Sequence, residues 1–116
     1  MAKHKLTDAV ALVGGMNFGG GNIDLNRFNS GSVSVNPASI AATTRLAHTA
    51  TITGIGLILG DVIVLVPPAA LNDDLLYVGC RVTGVDTVDI YIYNPTAGAI
   101  DDAALNWDFL HFGLDT

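Results

Sequence analysis

The sequence predicts an all-β fold: a single β-sandwich or jelly roll of about seven or eight strands, preceded by an extended N-terminal arm. Three observations carry that prediction. From about Gly21 onward, short stretches of alternating apolar and polar residues recur with Gly, Pro, Asn and Asp between them, which is the pattern of half-buried strands joined by turns. All eleven acidic residues are Asp, with no Glu or Gln anywhere, so the chain lacks two good helix formers and is rich in residues that favour turns and strand ends. The candidate strands also crowd into roughly 95 residues, which leaves no room for the helices of about ten or more residues that a βαβ fold needs between strands.

Taken in order, residues 1–21 read as an arm, flexible or ordered by a partner, and residues 22–116 as the sandwich. Within the arm, 5–13 suits a short helical or extended segment, but Gly14-Gly15 and Gly19-Gly20-Gly21 interrupt it at high entropic cost. Its apolar residues, Leu6, Val10, Leu12, Val13, Met16 and Phe18, are too many for an indifferent tail and point to packing on another subunit.

In the body, 22–28 is a weakly marked strand and 31–35 a short one ended by Asn36-Pro37, with Pro37-Ala38-Ser39-Ile40 as a turn or a single helical turn. Residues 46–53 alternate cleanly: Leu46, His48, Ala50 and Ile52 face one way, Ala47, Thr49, Thr51 and Thr53 the other. Residues 61–66 are apolar on both faces and stop at Pro67-Pro68, as expected of a central strand or of one whose outer face meets a partner.

The best-marked pair is 75–83 and 86–94, joined across Gly84-Val85. In the second member Tyr91 and Tyr93 fall on the polar face beside Asp89, where they are candidate contact residues, because tyrosines bury much area with little entropy loss. After the turn-rich 94–99, residues 106–114 form a closing strand with Trp107, Phe109 and His111 opposite Asn106, Asp108, Leu110 and Phe112. Large apolar groups on both faces make this strand either central or a neighbour of another subunit, with Phe112 an interface candidate.

Composition narrows the function. At 116 residues the chain fits one domain with one modest core, since domains cluster near roughly 100–150 residues. No apolar run approaches the roughly 18–20 residues that span a membrane, and the N-terminal residues lack the clean apolar segment of a cleaved signal peptide, so the expectation is a soluble protein made where it works. A net charge of −6, with only Lys3, Lys5, Arg27, Arg45 and Arg81 opposing it, disfavours nucleic acid as a partner. Cys80, the single cysteine, cannot form an intrachain disulfide and is expected to pack on one strand face with Val78 and Val82.

No catalytic cluster emerges. His4, His48 and His111 stand far apart and outside ligand-spaced motifs, so His48 and His111 read as wall or rim residues rather than as a metal site completed by an Asp. Asp73-Asp74 and Asp101-Asp102 are adjacent pairs in connectors, without the separation of glycosidase carboxylates or the ligand spacing of a calcium loop. The four serines sit in no nucleophile elbow, and the glycine runs lack the Lys-Ser/Thr ending of a phosphate loop. The expectation is therefore a protein that is not an enzyme and uses no cofactor or metal.

One resemblance adds to this reading. The run Thr51-Ile52-Thr53-Gly54, then Leu59-Gly60-Asp61-Val62-Ile63-Val64-Leu65-Val66-Pro67-Pro68-Ala69-Ala70-Leu71, then Tyr77-Val78-Gly79-Cys80-Arg81-Val82, Asp86-Thr87-Val88-Asp89-Ile90 and Tyr93-Asn94-Pro95-Thr96-Ala97-Gly98-Ala99-Ile100, closed by an aromatic-bearing strand, resembles a module recurrent in tailed-bacteriophage virion proteins. It spans slightly over half the chain and consists of strand and turn residues, with no catalytic signature. What it implies is a head decoration, or cement, protein: a small β-sandwich, often a homotrimer, bound to the major capsid protein on the outer surface of the virion and made in the host cytoplasm. A short arm with no fibre shaft favours that version. The alternative it leaves is a host-surface or glycan-binding module of a fibre or spike, with Tyr91, Tyr93 and Trp107 as an aromatic platform.

Overall fold

The computed structural model describes Met16–Asn17 and residues 24–115. These form strands β1 (Met16–Asn17), β2 (Asp24–Val35), β3 (Thr44–Thr51), β4 (Val62–Val66), β5 (Leu76–Gly84), β6 (Thr87–Asn94) and β7 (Leu105–Asp115). All pairings are antiparallel. A front sheet has the order β1-β2-β7-β4 and a back sheet the order β3-β6-β5, so the chain is an all-β domain of two packed sheets, six of whose strands have five residues or more.

Strand period dictates the layering. Inward positions on β7 (Trp107, Phe109), β4 (Leu65), β2 (Val35), β6 (Val88, Ile90, Ile92) and β3 (Ala50) are buried and form one core, which Ile40, Ile52, Leu57 and Leu75 complete from the connections. Each fully buried Val, Ile or Leu contributes on the order of 1.5–3 kcal/mol. Trp107 is edge-on to Tyr77 of the opposite sheet with ring centroids 5.2 Å apart, so it belongs to the core and not to an exposed platform.

Several expectations need correction. The expected strands 22–28 and 31–35 are not separate: from Asp24 onward, where the described residues resume, they run as one strand, β2. Its ladder with β7 continues through Asn29, Ser30 and Gly31, the last lying opposite Phe109, whose ring occupies the space a side chain at 31 would need. Residues 37–40 form no helical turn; Ile40 instead bridges Ile100 through two backbone hydrogen bonds. Asn94, fully buried, holds that junction by donating from Nδ2 to the carbonyls of Ile40 and Gly98 at 2.9 and 2.8 Å and accepting from Thr96. The 61–66 segment is not central: among the described residues β4 pairs only with β7, at the edge of the sheet, and Val62, Val64 and Val66 face outward. The 106–114 segment is the central one, between β2 and β4.

On β5 a bulge between Tyr77 and Gly79 sets two residues, Val78 and Gly79, against Tyr91. Gly79 has φ 155°, a conformation that L side chains rarely adopt. Cys80 and Val82 therefore stay half-buried against the core while Val78 is 60% exposed, which separates the face shared by these three in a regular strand. The Cys80 thiol lies 3.7 Å from the Ile63 carbonyl, joining the back sheet's β5 edge to the front sheet's β4 edge.

Of the expected N-terminal arm, Leu6, Val10, Leu12, Val13 and Phe18 lie outside the described residues. Met16–Asn17 pairs with Leu25 and Asp24 at the edge of the front sheet.

Candidate interaction surfaces and a buried polar network

Behind the front sheet, four polar side chains from distant parts of the sequence meet. The turn at 58–61 brings in the first: Asp61 N donates to the Ile58 carbonyl, and Gly60, with φ 93°, takes the third turn position that requires positive φ. The Asp61 carboxylate, 1% exposed, reaches back to accept from Ile58 N at 3.2 Å. Its Oδ1 accepts from Arg27 Nη2 at 2.7 Å and its Oδ2 lies 2.8 Å from His111 Nε2.

Asn29 settles the imidazole's tautomer. Its Nδ2 is placed to donate to the Ile55 carbonyl at 3.3 Å and to His111 Nδ1 at 3.1 Å, so Nδ1 is the acceptor and Nε2 carries the hydrogen given to Asp61. Burial works against the Asp61 charge, but the hydrogen bonds from His111, Ile58 N and Arg27 outweigh it and hold the carboxyl below its ordinary value of 3.8.

Arg27 reaches this position across Gly113, its partner on β7, where any Cβ would collide with the Arg27 side chain. The Arg27 Nε is buried without an acceptor among the described residues, a cost of the close fit. An Asp–His pair invites a catalytic reading, yet both imidazole nitrogens are occupied and the ring is fully buried, so this pair has no access to a substrate. The network instead pins the 55–61 loop to the β2–β7 ribbon.

His48 lies in the other sheet, facing inward opposite Ile90 and half-buried, so it does not join His111. Partial burial pulls its pKa below the ordinary 6.5, and Asp89 opposes that shift. Asp73-Asp74 and Asp101-Asp102 are drawn to one corner, since Asn72 N donates to Asp102 Oδ2 at 2.9 Å.

The outward side of the front sheet is apolar over much of its area. Val62 and Phe28 both pair with Phe112, and Val64 and Ser30 both pair with Leu110, so the register lines these side chains in rows across β4, β7 and β2. Phe28 is 56% exposed and meets Phe112 edge-on at 5.1 Å, while Val62, Val64, Val66 and Leu110 are each 39–51% exposed. At the Val66 end a shallow depression of about 400 Å³ adds Ser30, Ser32 and Asp108. An exposed apolar face of this kind on a small domain is a candidate contact surface.

The outward side of the back sheet is largely polar, with Leu76 and Val78 exposed at its β5 edge. Tyr91 and Tyr93, half-buried, stand on β6 in one row with Asp89, as their alternation predicts, and Thr49 Oγ1 donates to Asp89 at 2.7 Å. Among the sequence-derived interface candidates with described side chains, Phe112 thus belongs to the front face and Tyr91 and Tyr93 to the back.

Sequence reasoning missed the Arg27–Asn29–Asp61–His111 network, whose hydrogen-bonded pairs are separated by up to 82 positions. It also missed Phe28, which only the pairing with Phe112 reveals. Comparison with protein-family models yields no match, and neither do comparisons with curated proteins and with solved structures.

Proposed function

We propose that this chain is a structural virion protein of the tailed-phage decoration, or cement, type, which binds the outer surface of a capsid and stabilises the contacts between major capsid subunits. The observation that carries the reading is the exposed apolar front face of Phe28, Val62, Val64, Val66, Leu110 and Phe112, offered by a sheet whose other side already holds the core. The strand and turn pattern shared with phage virion modules supports it.

The mechanism is additive burial. At about 25 cal/mol per Å², a few hundred Å² of apolar surface contributes several kcal/mol per subunit, from which association costs subtract a large part. Repeated over a shell, the surplus resists internal pressure from packaged DNA. The same proposal includes a homotrimer clamping neighbouring capsid subunits, with Leu6, Val10, Leu12, Met16 and Phe18 of the arm on a neighbour, and a complete fold of seven or eight strands of the jelly-roll kind. The role is structural and not enzymatic, on the virion surface after synthesis in the host cytoplasm.

The test is to mix purified protein with undecorated phage shells and compare averaged electron-microscopy density with that of bare shells. Ordered protrusions at local threefold positions are expected; shells with no added density sink the proposal and turn attention to the fibre or host-binding alternative. That alternative has lost Trp107 from its platform, because the indole is buried.

A further inference from the structure

The back sheet's outer face carries a site that the virion reading does not use. Of the chain's five Lys and Arg residues, Lys3 and Lys5 lie outside the described residues and Arg27 is bound to Asp61. The other two, Arg45 and Arg81, converge on Tyr91, their guanidinium carbons 4.8 and 5.8 Å from the ring centroid.

The register explains the convergence. Tyr91 pairs with Ala47 on one side and, on the other, with Gly79, which shares the bulge with Val78, so the residues paired with it carry little side chain to cover its ring. A Cβ on Gly79 would meet nothing within 4 Å, which leaves open ground beside the tyrosine. Arg45 and Arg81 then reach the ring diagonally, from positions opposite Tyr93 and Asp89. Asp89 is the acid nearest Arg81 by register, yet among the described residues neither Arg45 nor Arg81 makes an ion pair, and Asp89 Oδ1 is taken by Thr49.

A guanidinium held over an aromatic ring keeps its N–H donors available and loses little further freedom when they are used. Each such group matches the oxygens of a carboxylate, which arginine binds through paired hydrogen bonds, and Tyr91 carries two of them. A polyanion such as nucleic acid would meet strong repulsion from a chain at −6, whereas a single carboxylate meets far less. The face is open, so a carboxylate held there needs a larger body to supply the rest of the contact.

The geometry points to Arg45, Tyr91 and Arg81 as a docking site for a carboxylate side chain presented by a segment of another protein. The argument is one of charge complementarity: two cations without acidic partners gathered on one face of an acidic protein. It stands or falls separately from capsid binding.

Amide chemical-shift titration of the full chain provides the test, with a capped peptide alternating Gly and Glu, its Gln counterpart, and sodium acetate as probes. The Glu peptide is expected to shift residues 45–47, 79–81 and 89–91 saturably, the Gln peptide to leave them in place, and acetate to act only at far higher concentration. Arg45→Gln with Arg81→Gln is expected to weaken peptide binding at least tenfold with an unchanged melting temperature. Tyr91→Leu, which leaves both charges but removes the ring, gives a smaller loss and covers the case in which the double variant fails to fold. Equal response to the Gln peptide, or undiminished binding by the double variant, overturns the site. Saturation by acetate at the peptide's concentration overturns the protein-segment assignment in favour of a small carboxylic acid.

Discussion

Across β4, β7 and β2 the outward rows hold Val62, Val64, Val66, Leu110, Phe112 and Phe28, with Ser30, Ser32 and Asp108 at one end, whereas across β3, β6 and β5 they hold Arg45, Ala47, Thr49, Asp89, Tyr91, Tyr93 and Arg81, with Leu76 and Val78 at the β5 edge. Both sheets place their other side on the same core and obey the same alternation. The back sheet shows that this sandwich closes with an exterior on which polar side chains predominate and apolar ones, Leu76 and Val78, are confined to the β5 edge, so an apolar exterior as extensive as the front sheet's is not a requirement of folding. The front sheet's rows of valine and phenylalanine are the surface on which the proposed capsid contact rests. The polar network differs in the same direction: Arg27, Asn29 and His111 belong to the front sheet's own strands, and Asp61 immediately precedes β4.

The comparison breaks most severely if the front sheet loses that internal support. Asp61→Ala leaves Arg27 and His111 without their shared acceptor and is expected to lower unfolding free energy by about 3 kcal/mol or more, measured by urea denaturation. Hydrogen exchange in the variant should accelerate in β2, β4 and β7 before β3, β5 and β6. Uniform acceleration would show that the network serves both sheets equally.

Next in size is a test of the outer faces. Val64→Asp with Leu110→Asp is expected to reduce shell binding at least about tenfold, because central apolar contacts carry most interface energy. Unfolding should change little, as both positions are partly exposed. Thr51→Asp with Thr87→Asp adds the same charge to the back face and should leave shell occupancy as it was; equal losses from both pairs would mean that charge, and not the apolar face, decides.

Acid separates the sheets more gently. The Asp61 carboxyl is held below 3.8 in the folded protein, so the stability it contributes is present above the unfolded value and is lost as pH falls through the folded one. Denaturant midpoints should therefore drop below about pH 4, and Asp61→Asn, less stable at neutral pH, should lack its share of that drop. An identical acid limb in the variant would assign the effect to other carboxyls.

The smallest effect is on the back sheet. His48 is expected to titrate below 6.5 by NMR, and because Asp89 raises its pKa, Asp89→Asn should lower it further. Folded His48 takes up its proton less readily than the unfolded chain, so it subtracts a little stability as pH falls below 6.5. An unchanged titration in Asp89→Asn would place Asp89 too far away to matter.

What was legible in the sequence was whatever depends on period and turn chemistry. The hairpin of β5 and β6, the inward Leu46, His48 and Ala50, and the inward Trp107, Phe109 and His111 all follow from alternation. The outward tyrosines did too, but their convergence with Arg45 and Arg81 did not, since it needs the lateral order of three strands. Asp61 looked like an interruption in an apolar run because its partners, Arg27 and His111, are 34 and 50 residues away. The 61–66 run misled in another way: apolar residues on both faces read as central, yet among the described residues only the side of Ile63 and Leu65 is covered.

The bulge in β5 has a genetic corollary. Val78 and Gly79 occupy a single place in the ladder, so the strand carries one residue more than its partner needs. Losing either would restore the regular phase and still leave Cys80 inside and Arg81 outside. Flattening the bulge without shortening the strand would do the reverse, turning the thiol to solvent and driving a guanidinium into the core. At this point the protein should tolerate a codon deletion better than many a substitution.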